Sequence, residues 1–356
     1  MKQKLLIFHP TIPPYRVDLF NSLSEAFETK LYLTWINEKT FDYDSIYAQL
    51  KFTPEKYLNC WKHLDDNKPD IVLVSEFGTT TIKVLMHRWI NRSNYKVISI
   101  CDDSFNMLSE KNDFSLIHRW ARKIVVPHLN ELILVEPLSR NWYMINYGKG
   151  YFFPIIRSDT KQREIYSRVL SESRNIIDLY NLANKNIFAF VGRFVALKNI
   201  PRIIKAFSRL NQKENALVLI GSGEEDSNIR YVAETCNVTP ILPGRLEGDS
   251  LYAWYNVVDY FILASYQEAF GAVTNEALLA GCYSLVSKRA GSHCLIKEGV
   301  NGFTFDPMNV DELQQKMVMA ITQYPKLKTL EKVKRNLMFI KYDEAIENLI
   351  NHLKSL

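Results

Sequence analysis

The chain has 356 residues, 47% of them hydrophobic and 23% charged, a balance typical of globular proteins and a length that favours two cores over one. Its net charge of +5 is spread evenly, 20 basic against 17 acidic residues up to Arg157 and 24 against 22 after it, so a nucleic-acid-binding arm is not expected. No apolar run approaches the ~20 residues that span a bilayer, which leaves weak attraction to an anionic membrane surface as the one expected membrane contact.

Met1 to Pro10 carries a short apolar stretch without a small-residue cleavage site. It reads as a first buried strand rather than a signal peptide, and a cytoplasmic protein, at most peripheral on the inner membrane face, is expected. Further apolar runs bounded by turn residues predict parallel strands. In the first half they are Leu5–Phe8, Leu31–Trp35, Ile71–Val74, Val97–Cys101 and Ile124–Val126, with a helix over Thr79–Ile90. A strand pattern ends at Phe153-Pro154, and a polar helical stretch, Thr160–Leu182, follows. The second half predicts strands at Ile187–Val191, Leu217–Ile220, Tyr260–Leu263 and Tyr283–Val286, with helices over Ile200–Leu210, Leu251–Val257 and Tyr342–Leu356. This alternation predicts two α/β domains on parallel sheets, over residues 1–157 and 158–338. Ligands of such sheets bind beyond the carboxyl ends of the strands, so two domains facing across a cleft would hold a site there.

Two loops carry the chemistry. Glu268-Ala-Phe-Gly-Ala-Val-Thr-Asn-Glu276 follows the strand Tyr260–Leu263 and opens a helix. Free amides near Gly271, Ala272 and Val273 would form an anion site there, bracketed by two carboxylates suited to a sugar and a ribose diol. Val191-Gly-Arg193-Phe-Val-Ala-Leu-Lys198-Asn199 places two cations after another strand, where they would neutralise a diphosphate. Each loop alone would also fit solvated surface charges. Their occurrence at two strand ends of one sheet is what favours a site.

From about Phe188 to Leu313 the sequence resembles the nucleotide-binding domain of family-four retaining glycosyltransferases of the GT-B fold, of the bacterial polysaccharide-assembly type. The resemblance rests on Gly192-Arg193 with Lys198-Asn199, Gly221-Ser-Gly223-Glu224, Pro243-Gly244-Arg245, Asp259 to Ser265, the two-glutamate motif, Glu276 to Gly281, Glu298 to Phe303 and Asp306-Pro307, in this order. The first half matches in layout only, apart from Pro13-Pro14-Tyr15-Arg16 to Phe20.

The resemblance implies transfer of a hexose-type sugar from a nucleotide diphosphate sugar to a glycan or lipid-linked acceptor, retaining configuration and needing no metal or other cofactor, in surface polysaccharide synthesis. It assigns the donor diphosphate to Arg193, Lys198 and the amides of Ala272 and Val273. Glu268 and the amides of Phe270 and Gly271 would touch the sugar, Glu276 the ribose, and the backbone around Arg245 the base. Tyr15 and Arg16 would lie on the acceptor side, and residues 339–356 would cross back onto the first domain as a helix. Two departures stand out. The glycine-rich loop of many members is here Thr11-Ile12-Pro13-Pro14-Tyr15, and the histidine often found at a first-domain strand end is replaced by Asp102. Asp102 would accept from a sugar hydroxyl or stabilise charge at the anomeric carbon; it could equally cap a helix.

Other signals are weaker. Asp42-Tyr43-Asp44 matches a metal-binding D-x-D but follows no clear strand, and Gly221-Ser-Gly223 lacks the third glycine of a dinucleotide fingerprint. His118 and His128 are expected at the surface or as caps, and the five scattered cysteines as reduced core residues. Ile82–Arg92 and Ile117–Lys123 mix cations with aromatics, either as a membrane-facing patch or as ordinary helices with solvated outer faces; the second is expected. An epimerase or phosphorylase on the same architecture, or a non-catalytic sugar-nucleotide-binding subunit, are the competing functions.

Overall fold

The computed structural model describes residues 2–34, 43–109, 116–324 and 330–356; Trp35 of the second expected strand and Asp42 of the D-x-D lie outside them. The chain divides into two units, Met1–Arg157 with Tyr342–Leu356, and Ser158–Lys341.

The first unit is built on β1 (Lys4–His9), β2 (Glu28–Leu33), β3 (Glu55–Lys56), β4 (Ile71–Ser75), β5 (Lys96–Cys101), β6 (Glu131–Leu134) and β7 (Tyr151–Phe152). They pair in parallel in the order β3-β2-β1-β4-β5-β6-β7. Central strands covered on both faces need apolar side chains on both, and Leu5 to Phe8 and Ile71 to Val74 are buried throughout. The expected strand Ile124–Val126 is instead the end of a helix, Leu116–Val125, running into a 3-10 turn, Val126–His128. The strand comes later, at β6. It escapes the apolar pattern because it opens on Glu131, whose carboxylate accepts from the amides of Leu132 (2.9 Å) and Gly150 (2.8 Å).

The helix Tyr342–Ser355 buries Tyr342, Ile346, Leu349 and Leu353, one face at helical spacing. It packs on the helix Val17–Ala26 and is fixed by Tyr342 to Ser22 (3.0 Å) and His352 to Glu131 (2.9 Å). The last helix therefore completes the first unit.

The second unit has β8 (Asn186–Val191), β9 (Asn215–Ile220), β10 (Ile241–Gly244), β11 (Tyr260–Leu263), β12 (Tyr283–Ser287) and β13 (Gly302–Phe305), parallel in the order β10-β9-β8-β11-β12-β13. The expected helix Thr160–Leu182 is two helices, Asp159–Arg168 and Leu170–Leu179. They part at Val169 because the buried Asn256 amide donates to Tyr166 O (2.8 Å), the carbonyl a continuous helix would have used. Strand order reverses between β8 and β11, and in such sheets that switch point is where ligands bind.

Candidate active site

The loops after β8 and β11 are tied together by backbone and amide bonds. Asn199 adopts φ 56°, a conformation asparagine tolerates. From there its side chain donates to Ala264 O (3.1 Å) and Pro307 O (3.0 Å), while Tyr266 N donates to Leu197 O (2.8 Å). This brings the Lys198 ammonium onto the Glu268 carboxylate as an ion pair whose side chains are only 18% and 17% exposed. Ser265 Oγ approaches the same carboxylate at 3.4 Å. Arg193 is exposed and makes no hydrogen bond or ion pair among the described residues. One expected cation is thus neutralised by an expected sugar-contacting acid, and the other is open.

The Glu268 segment is clamped as if it were an extra strand. It bridges to Ala290, Gly291 N donates to Glu268 O (3.2 Å), and Ser292 N donates to Phe270 O (2.7 Å). At Gly271, with φ 91°, a Cβ would lie 2.6 Å from Leu263 Cδ2, so the chain here needs glycine on two counts. The helix Val273–Ala280 begins without a side-chain cap. The amides of Gly271, Ala272 and Val273 donate to nothing among the described residues. A helix end with open amides and a dipole behind it attracts anions.

Glu276, one turn into this helix, is half-buried and accepts from Tyr255 (3.2 Å). Burial, and then the Glu276 charge, push the Tyr255 phenol well above its ordinary range, so it remains a donor. Arg245 follows the edge strand β10 and its exposed guanidinium turns to Glu247, with Nε 2.9 Å from Oε1.

In the first unit, the corresponding switch point lies between β1 and β4. Arg16 is buried there, 2% exposed, and its guanidinium is held by Asp102 at 2.6 Å. Tyr15 lies under the same guanidinium, 5.8 Å from ring centre to Cζ. The two residues expected on the acceptor side are therefore bound up with the expected acid. The Asp102 amide in turn donates to Glu76 Oε1 (3.0 Å).

Sequence reasoning missed Glu76. Its one available signal was an acid directly after a buried strand, with its partners far off in sequence. Glu76 adopts φ 57°, and its carbonyl accepts from Thr81 Oγ1 (2.9 Å) and Ser99 Oγ (2.8 Å). Burial first, then the charges of Asp103 and Asp102, push its carboxyl up to about 8. Asp103 is buried and accepts from the Tyr143 hydroxyl, with Arg122 Nη1 and His118 Nε2 each at 3.6 Å. His118, expected at the surface, is thus half-buried against an acid.

Ligand atoms of Glu76, Asp103 and His118 lie within 4.8 Å of one another, but Tyr143 and Arg122 already take up Asp103. We read the group as an ionic and hydrogen-bonded cluster.

A carboxyl with a raised pKa holds its proton more tightly folded than unfolded. Its contribution is complete below about pH 4.5 and is lost as pH rises through about 8. Apparent melting temperature should therefore fall across this window in the parent protein and fall less in Glu76→Gln, which cannot ionise. Parallel curves for the two proteins would remove Glu76 from this role.

Residues 174–337 match the family of glycosyl transferases group 1. The chain is 26% identical over 304 residues to an uncharacterized glycosyltransferase of Methanocaldococcus jannaschii, covering 76% of this chain and 85% of that protein. It is 25% identical over 193 residues to the lipopolysaccharide 1,2-N-acetylglucosaminetransferase of Salmonella typhimurium, covering 50% of each. It spans half or less of the length of most of the curated relatives it matches. In structure it is similar to HepE of Anabaena, solved in complex with UDP, with a TM-score of 0.78 at 16% identity over 99% of this chain and 100% of that one. Residues 174–337 are thus similar to the group 1 glycosyl transferases, and the chain has the GT-B fold.

Proposed function

We propose that the chain transfers a hexose-type sugar from a nucleotide diphosphate sugar to a glycan or lipid-linked acceptor, with retention of configuration and without a metal, in the assembly of a surface polysaccharide. The observation that carries this reading is the Lys198–Glu268 pair, which joins two loops that also hold an open Arg193 and the open amides of Gly271 to Val273. These groups offer fixed positive charge and aligned donors to a diphosphate, the role a metal would otherwise fill. The names of the relatives support a nucleotide sugar and a glycan acceptor.

In this mechanism Arg193, Lys198 and the helix N-terminus stabilise the charge on the departing diphosphate. Glu268 holds hydroxyls of the sugar, with the Phe270 and Gly271 amides beside it, and Glu276 accepts from the ribose. The acceptor attacks on the face from which the diphosphate leaves, and its proton passes to the departing phosphate.

Release of nucleoside diphosphate from a sugar donor without acceptor tests the enzyme reading directly; no release from any of a panel of donors that bind would indicate a binding subunit. Arg193→Ala and Lys198→Ala should each weaken UDP binding by roughly 10- to 100-fold, the scale of a charge-assisted hydrogen bond. The Lys198 change should weaken it more, because it leaves Glu268 unpaired beside the anion. Titration calorimetry with UDP reads both effects, and unchanged affinity in either variant would remove that residue from the diphosphate.

A further inference from the structure

The crossovers from β4 to β5, β5 to β6 and β6 to β7 all step the same way along the first sheet. Right-handed connections of this kind place their helices on one face. Thr79–Ile90, Leu116–Val125 and Pro137–Tyr147 are therefore one outer layer, and Val84, Val125 and Tyr143 share a core cluster beneath it.

Leu116–Val125 is turned inside out for a surface helix. Its polar side faces inward, where Arg122 is buried and, with His118, approaches Asp103. Its apolar side faces out: Ile117 is 81% exposed, Trp120 66% and Ile124 61%. The neighbouring helices add Trp89, 81% exposed, and Ile145, 84% exposed. Single exposed apolar residues are ordinary; an aligned set on adjacent helices marks a surface that is covered in use.

Charge says by what. The three helices contain no Asp or Glu, and Lys83, Arg119 and Lys123 lie on them without facing Asp103; two acids, Asp65 and Asp66, are on the helix Cys60–Asn67, which packs against Thr79–Ile90. Such a layer suits an anionic surface. The outward Ile117, Ile124 and Ile145 add aliphatic bulk that hydrocarbon takes up and a charged phosphate backbone does not, which favours lipid over nucleic acid. No helix among the described residues is long and apolar enough to cross a membrane, so contact of this kind lies along the surface. We infer that this layer docks on an anionic lipid bilayer, with Trp89 and Trp120 at headgroup depth and the cations over lipid phosphates. The inference stands apart from the donor site.

Flotation of the full chain tests it, using vesicles of equal parts phosphatidylglycerol and phosphatidylcholine at low salt. The protein should float with these, stay behind with pure phosphatidylcholine, and be released by salt. Ile117→Ser combined with Trp120→Ser should lower binding at least about tenfold. Lys83→Glu with Lys123→Glu should do the same on anionic vesicles alone. Tyr231→Ser, at an exposed position of the second unit, should leave binding unchanged, and UDP binding and circular dichroism should report an intact fold in every variant. Three outcomes overturn the inference: no flotation of the parent chain with anionic vesicles, equal flotation of parent and layer variants, or loss of dimer mass or of a single-stranded RNA mobility shift in those variants without any vesicle binding.

Discussion

Glu268→Ala should lower turnover about 10²-fold or more, while UDP affinity stays the same or rises. The split follows from the pairing. Glu268 neutralises Lys198, so removing the acid frees the ammonium for the diphosphate. What is lost is the group that holds the sugar while charge develops, a loss felt in the transition state far more than in binding of the nucleotide. Glu268→Gln keeps hydrogen bonding without the charge and should fall between the two. Lys198→Ala with Glu268→Ala should cost less than the two single changes multiplied, because each alone leaves a partner unmatched. Steady-state release of nucleoside diphosphate reads all three. Turnover within tenfold of the parent for Glu268→Ala would defeat its assignment.

The largest expected loss of stability lies at the end of β9. Gly221 has φ 147°, and a Cβ there would stand 1.9 Å from Gly192 O and 2.9 Å from the Phe194 ring. The first of these is backbone and cannot swing away. Gly221→Val should therefore cost roughly 3 kcal/mol or more, lowering the melting temperature of the second unit by about 6–12 °C. Gly299→Ala is the control. Its φ is also positive, but nothing lies within 4 Å, so only the roughly 1–2 kcal/mol of the left-handed conformation is at stake. Equal melting temperatures for the two variants would show that the close approach of the β8 and β9 ends is not what requires the glycine.

The same position shows what sequence reading could and could not reach. Gly221-Ser-Gly223 was set aside as an incomplete dinucleotide fingerprint; its glycines instead let two strand ends lie backbone against backbone. The central strands were legible because burial on both faces leaves an unbroken apolar run, as in Tyr260–Leu263. The stretch Ile124–Val126 offered the same signal and was a helix end, since the helix before it carries its polar residues inward. In the second unit the loop residues were legible from motif order, but not the Lys198–Glu268 pair, which depends on Asn199 and Tyr266 drawing two loops together. In the first unit the chain from Arg16 through Asp102 to Glu76 joins the ends of β1, β5 and β4. No local pattern encodes such a contact.

The helix Tyr342–Ser355 has a consequence for biosynthesis. It completes the first unit, yet the ribosome makes it only after all of Ser158–Lys341. At ordinary elongation rates that interval lasts roughly 10–40 s. Through it the nascent first sheet lacks the cover for Val17–Ala26, and the residues that will meet Ile346, Leu349 and Leu353 stay open to water or to a chaperone. A chain truncated before Tyr342 would keep that exposure for good, so shortened products should be recovered bound to chaperones or in inclusion bodies.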